Sequence, residues 1–416
     1  MPQYLSPGVY VEEVPSAVKP IAGVGTSTAG FIGLVSDAVT MPFRPGRPLD
    51  PTSIVAADRY ALAPAGQAQL ITSWVEFLNA FGDVQAGNTI LANAVYGFFN
   101  NGGTRCWVTR VTSLIEDTTV TPAVDQVEQA LAEFEAIDEI AIVAVPVPTN
   151  VGAANDAANL ARRVAIRGMV LNHCENLQDR FAVLDGEETV EGALVPQGIY
   201  PNAGGTAMGA TSLYGAVYFP WIDTSGTGNF VPPSGHMAGI YARVDGERGV
   251  HKAPANVTVR GALDVKYRVS KAQQDGLNPQ GVNVIRQFNW NITVWGARTI
   301  GGDANADFKY VNVRRLFNFM RESIDEGTQW VVFEPNTPEL CAKITRNVSA
   351  FLTNVWRAGA LFGTTPQEAF YVKCDADTNP PEVRDLGQVV TEIGVAVVKP
   401  AEFVIFRISQ WSGPGK

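Results

Sequence analysis

Hydrophobic positions along this chain fall into short apolar runs separated by longer stretches with a helical period. Phe31-Ile-Gly-Leu-Val35, Cys106-Trp-Val-Thr-Arg-Val111, Glu139-Ile-Ala-Ile-Val-Ala-Val145, Arg180-Phe-Ala-Val-Leu-Asp185 and Leu213-Tyr-Gly-Ala-Val-Tyr-Phe219 are short and largely apolar. They predict buried strands. Between them, helices are predicted from Trp74-Val-Glu-Phe-Leu78, over 90–99, around Val127, Leu131 and Phe134, over 155–175, and within 232–244. Apolar strands alternating with helices imply a mainly parallel sheet covered on both faces. Residues 40–70, rich in Pro, Ala and Gly, read as a surface loop.

The pattern changes after the polar joint Arg248-Gly-Val-His-Lys-Ala-Pro-Ala-Asn256, where a domain boundary is predicted. Strands follow near 282–287 and 292–299, then a helix over 307–326 with Val313, Leu316, Phe317, Met320 and Ile324 on one side. A second helix, 338–358, carries the apolar stripe Leu340, Ile344, Val348, Phe351 and Val355. Its Lys343, Arg346 and Arg357 fall close to one face, opposite much of that stripe.

The chain ends look like arms. Val9, Tyr10 and Val11 form a short strand bracketed by Pro7, Pro15 and Pro20. Glu402 to Ser409 forms another, apolar on both faces at Phe403, Val404, Ile405 and Phe406. Such strands find no sheet in their own segments, and left exposed they are aggregation edges; insertion into another sheet is their productive use. The predicted division is an arm (1–28), an α/β domain (29–255), a second α+β domain (256–400) and a C-terminal strand arm (401–416).

At 416 residues the chain suits two domains, and 46% hydrophobic with 17% charged residues describes a packed protein rather than a disordered one. No run approaches a membrane span, and the N-terminus lacks the basic and apolar regions of a signal peptide. The net charge of −10 is concentrated in residues 1–255, whereas 256–416 is slightly basic. An acidic surface argues against nucleic acid. The four scattered cysteines read as reduced thiols, and the adjacent His173 and Cys174 lack metal-ligand spacing. No metal or cofactor is expected.

Sequence motifs for catalysis fail on context. Gly25-Thr-Ser-Thr-Ala29 matches the serine loop of subtilisin-like proteases, but Ser27 leads into a strand, and His173, His236 and His251 are the available bases. The segment reads instead as a flexible polar hinge. Gly23-Val-Gly25 lacks the strand and helix of a dinucleotide loop, and Ser16-Ala-Val-Lys19 sits between prolines. Asp375-Ala-Asp-Thr-Asn379 starts like a calcium loop but has Pro380 and Leu386 where Gly and Glu are needed, so a turn is predicted.

A series of ordered blocks remains. They are Tyr4-Leu-Ser-Pro-Gly-Val-Tyr-Val-Glu-Glu-Val-Pro15, Leu277-Asn-Pro-Gln-Gly-Val-Asn-Val-Ile-Arg286, Val294-Trp-Gly-Ala-Arg-Thr299, Tyr310-Val-Asn-Val-Arg-Arg-Leu316, Gly327-Thr-Gln-Trp-Val-Val-Phe-Glu-Pro-Asn336 and Val398-Lys-Pro-Ala-Glu-Phe-Val-Ile-Phe-Arg407. The series resembles the contractile tail sheath family, which builds the outer cylinder of phage tails, tailocins and extracellular contractile injection systems. The resemblance implies a non-enzymatic protomer with a subtilisin-like outer domain and a tube-facing inner domain. It implies hexameric rings stacked around an inner tube, with the tube protein, baseplate and terminator or cap proteins as partners, and neither nucleic acid nor membrane insertion. It also implies synthesis in a bacterial cytoplasm and a place in a tail or injection particle, released extracellularly in some systems. Strand arms would join protomers, and Lys343, Arg346 and Arg357 are candidate tube contacts. The compact length favours an injection-system or tailocin type over a large phage tail. The rival readings are an α/β hydrolase and a non-contractile shell protein.

Overall fold

The structure is a computed structural model that describes residues 20–47, 52–112, 121–147, 157–202, 204 and 207–407. The predicted strand at Val9, Tyr10 and Val11 lies outside the described residues, as do residues 408–416. The chain divides into two compact units, 24–321 with 397–416, and 1–23 with 322–396.

The strands of the first unit are β1 (Ala29–Leu34), β2 (Ala68–Ile71), β3 (Cys106–Val111), β4 (Ile142–Ala144), β5 (Phe181–Asp185), β6 (Gly215–Phe219), β7 (Ile222–Asp223), β8 (Phe230–Val231), β9 (Val257–Thr258), β10 (Asp264–Val265), β11 (Val282–Phe288) and β12 (Asn291–Val294). Its helices are α1 (Trp74–Phe81), α2 (Thr89–Asn100), α3 (Thr121–Glu135), α4 (Ala157–Leu177), α5 (Pro196–Ile199), α6 (Ser234–Arg248) and α7 (Lys271–Leu277). A nine-stranded sheet runs in the order β2-β3-β1-β4-β5-β6-β11-β12-β9. Its central strands from β3 to β11 are parallel, and β2, β12 and β9 add antiparallel edges.

Alternation along each strand feeds two cores. Phe31 and Val183 point into one with Phe98, Tyr218 and Tyr241, while Ile32 and Leu184 point into the other with Phe134, Val170 and Val217. Burial on both faces explains why the central strands read as continuous apolar runs. On the first face α2 and α6 touch through glycine. A Cβ at Gly235 or Gly239 would overlap the backbone of Ala94 or Phe98, so these positions permit an approach that no larger residue allows.

Three expectations change here. The joint at 248–256 does not separate the units: β11 pairs with β6, Val282 opposite Val217, and the sheet continues through residues 257–294. Gly and Pro mark turns as well as linkers, and here the turn lies within one fold. Part of the predicted loop 40–70 is strand, because β2 pairs antiparallel with β3. The Gly25–Ala29 segment is no free hinge. Thr26 Oγ1 donates to Asp245 Oδ2 at 2.6 Å, the Arg315 guanidinium donates to Thr26 O, and the amides of Ala141 and Ile142 donate to Thr28 O.

Helix α8 (Val311–Thr328) begins in the first unit, and its last turns belong to the second. The second unit also contains α9 (Pro338–Arg357), α10 (Pro366–Ala369), β13 (Phe370–Lys373), α11 (Pro381–Asp385) and β14 (Glu392–Val395). Thr337 caps α9 by accepting from Leu340 N, and Pro338 sits at the first helical turn, where no donor is lost. The helix buries Leu340, Cys341, Ile344, Val348, Phe351, Leu352 and Val355. Strands β13 and β14 form a two-stranded antiparallel sheet, Phe370 opposite Val395 and Lys373 opposite Glu392.

Candidate assembly interface

The C-terminal segment is held most firmly at Glu402, and among the described residues the four that follow it are exposed. Glu402 Oε1 accepts from Arg298 Nε at 2.8 Å and from Asn278 Nδ2 at 2.7 Å. Glu402 Oε2 accepts from Arg298 Nη2 at 2.7 Å and from the Tyr310 hydroxyl at 2.9 Å. The Arg298 side chain is 3% exposed and that of Glu402 is 19% exposed. Burial pushes the Glu402 carboxyl up, but the bonds from Arg298, Asn278 and Tyr310 outweigh it and hold its pKa below the ordinary value. Each clamp residue falls in or beside one of the ordered sequence blocks.

Past this clamp Phe403, Val404, Ile405 and Phe406 are 69%, 70%, 78% and 84% exposed. The sequence predicts a strand here, yet residues 401–407 pair with no ladder among the described residues. A strand exists only beside a partner, and this segment has none among the described residues. In the second unit, β13 and β14 pair only with each other among the described residues, so each keeps an open outer edge.

Lys343, Arg346 and Arg357 are exposed on α9, opposite its buried stripe, and none forms an ion pair among the described residues. Glu339 shares their face by helical spacing and is also exposed. The geometry therefore offers a solvated, mainly basic ridge.

The candidate catalytic residues are not assembled into an open site. Ser27 lies in the pinned segment before β1. Asp185, at the end of β5, accepts from Ser234 N at 2.7 Å and Ser234 Oγ at 2.6 Å, capping α6. This pair was not foreseen, since 49 residues separate its members. Burial pushes the Asp185 carboxyl up to about 7. Ser234 and His236 are buried, and burial moves the His236 pKa down to about 4, so its ring is neutral. His173 is likewise moved down to about 4, by burial and then by Arg180. His251 is lowered by burial.

Among the described residues no group of three His, Cys, Asp or Glu is placed to hold a metal, and no helix is long and apolar enough to cross a membrane. Asp375-Ala-Asp-Thr-Asn379 is a turn in which Asp375 Oδ1 accepts from the amides of Asp377 and Thr378.

Two family models match this chain, the phage tail sheath protein central domain over residues 123–300 and the phage tail sheath C-terminal domain over 303–410. Together they cover more than half of it. The tail sheath protein of Vibrio phage KVP40 is 29% identical over 42% of this chain and 26% of its own length. A putative prophage major tail sheath protein of Pseudomonas aeruginosa is 25% identical over 46% of this chain and 50% of its own. The match thus spans a half or less of these curated relatives. Among solved structures, the contracted helical sheath of the anti-feeding prophage superposes with a TM-score of 0.73 at 29% identity, covering 97% of this chain and 99% of that one. The contracted sheath complex of the extracellular contractile injection system PVC gives 0.72 at 29% identity, covering 99% of each chain.

Proposed function

This chain belongs to the contractile tail sheath family, and from that premise we propose that it is a structural sheath subunit. It assembles as stacked six-membered rings around an inner tube and contracts to drive the tube through a target envelope. The observation that carries the reading is the apolar tip Phe403–Phe406, exposed and without a strand partner among the described residues, immediately after a residue fixed by four hydrogen bonds. A fixed root with a free, strand-forming tip suits insertion into a neighbour.

The receiving element is the β13–β14 sheet. Two strands alone are marginal in water, so added strands stabilise them. In this reading the Phe403–Phe406 segment of one protomer adds to one open edge, and Val9–Val11 of another adds to the other. Neighbours tethered in this way rotate and slide without separating. Contraction is relaxation from a metastable packing to a lower one and consumes no nucleotide.

The unit of residues 24–321, with its mainly parallel sheet, serves as the subtilisin-like outer portion. Within the 256–400 stretch, the 322–396 portion faces the tube and presents Lys343, Arg346 and Arg357. A polar, salt-screened grip allows release on firing where apolar burial would not. The partners are further copies of this chain, the inner tube protein, the baseplate and a terminator or cap protein. The subunit is made in a bacterial cytoplasm, acts within a particle rather than on nucleic acid or in a membrane, and performs no catalysis.

Electron microscopy of the purified full chain tests this. Helical tubes built of six-membered rings are expected, and deletion of 401–416 or of 1–20 should give a folded protein that does not polymerise. Long tubes from either truncation would refute the tethering.

A further inference from the structure

Two cysteines of the second unit flank one side-chain amide. Cys341 lies on the buried face of α9, and Cys374 directly follows β13 and is half-buried. The side-chain amide of Asn379 reaches both sulfurs, at 4.0 Å from Cys341 Sγ and 3.7 Å from Cys374 Sγ. Asn379 is itself fixed: Nδ2 donates to Val390 O at 2.9 Å, and Oδ1 accepts from Val390 N. Both sulfurs therefore lie within 4.0 Å of one amide nitrogen whose own place is fixed by the backbone. Cys106 and Cys174 differ. Both are fully buried in the other unit, and burial pushes their thiols up.

We propose that Cys341 and Cys374 form a dithiol–disulfide site that closes in an oxidising medium and joins α9 covalently to the end of β13. The oxidant is a low-molecular-weight disulfide, for which glutathione disulfide is the probe. The more exposed Cys374, as thiolate, attacks one sulfur, forming a mixed disulfide and releasing one glutathione. Cys341 loses its proton, attacks Cys374 Sγ and expels the second glutathione. The two thiols give up two protons and two electrons, and the glutathione disulfide is reduced to two thiols. Burial pushes the Cys341 thiol up to about 12, which makes the second step slow at neutral pH and faster as pH rises. In a reducing compartment the pair stays open. Once closed, the bond restrains the unfolded chain and stiffens the helix that backs the β13–β14 sheet. Nothing in this chemistry depends on assembly, so it is tested separately from the sheath reading.

The test uses the full chain, reduced, desalted, incubated folded with glutathione disulfide at alkaline pH, then denatured, alkylated and mapped by mass spectrometry. Two of the four cysteines should escape alkylation, joined as a Cys341–Cys374 peptide pair, and the melting temperature should rise and fall back on reduction. Cys341→Ser should stop at a glutathione adduct on Cys374, and Cys374→Ser should give no link. A Cys106→Ser, Cys174→Ser double variant should still form the link. The proposal is overturned if all four thiols of the wild type stay alkylatable, if Cys374 keeps glutathione without resolving, or if another pair forms.

Discussion

Replacing Glu402 by alanine removes the acceptor of four hydrogen bonds and leaves Arg298 almost wholly buried. Asp303 Oδ1, 2.9 Å from Arg298 Nη1, remains, but its side chain is about half exposed and cannot take up the fork. Breaking a buried ion pair costs about 3–5 kcal/mol, and single bonds to charged groups about 1.5–3 kcal/mol. Because Asp303 persists and Glu402 is partly exposed, a loss of about 2–4 kcal/mol is expected. Glu402→Gln, which keeps the shape and loses the charge, should cost about half of that.

The sign with pH follows from the lowered carboxyl. The contribution is fully present above the unfolded value of 4.5 and drains away as pH falls through the lower folded value. Urea unfolding of the three proteins at pH 7 and again below pH 4 is the assay. The gap between wild type and Glu402→Ala should narrow in acid. Equal midpoints at pH 7 would refute the clamp. In assembly assays Glu402→Ala should also lower the yield of tubes beyond its stability loss, because the arm no longer leaves the fold at a fixed point.

Ile405→Pro should leave stability unchanged, since the side chain is solvent-exposed, yet shorten or abolish tubes by deleting a ladder donor; normal tubes by microscopy would contradict strand insertion. The Lys343→Glu, Arg346→Glu double variant should fold within about 0.5 kcal/mol of wild type and polymerise alone but load poorly around the tube; normal extended particles would remove these residues from the contact. Asp185 has a folded pKa raised from 3.8 to about 7, so its contribution is complete below the lower value and lost as pH rises towards the upper one. The difference in melting temperature between wild type and Asp185→Asn should shift across that window and be flat above it. Ser27→Ala should leave assembly intact, and labelling of Ser27 by a serine-directed covalent probe would overturn the non-catalytic reading.

Features with a local period were legible in the sequence. Helix α9 was predicted at 338–358 and spans Pro338–Arg357, because its stripe repeats every three or four residues between a threonine cap and a following glycine. Strands β3 and β5 were likewise visible as apolar runs with turn residues nearby. Strand β13, Phe370-Tyr-Val-Lys373, was missed because four residues on an open two-stranded sheet carry little pattern. The pinning of Thr26 depends on Asp245, 219 residues away, and the Glu402 clamp on Arg298, 104 residues away. Pairings so distant leave no periodic trace. The joint at 248–256 misled because its composition suits a linker and an internal turn equally. Phe403–Phe406 and the basic residues Lys343, Arg346 and Arg357 of α9 are exposed, and exposure alone names no partner.

Cryo-electron microscopy of particles formed by the full chain, at a resolution that traces individual strands, tests the central claim most directly. The account predicts six-membered rings in which residues 403–406 of each subunit lie as a strand against an open edge of the β13–β14 sheet of a neighbour. Well-formed particles in which that segment folds back on its own chain, or projects unpaired into solvent, would contradict it.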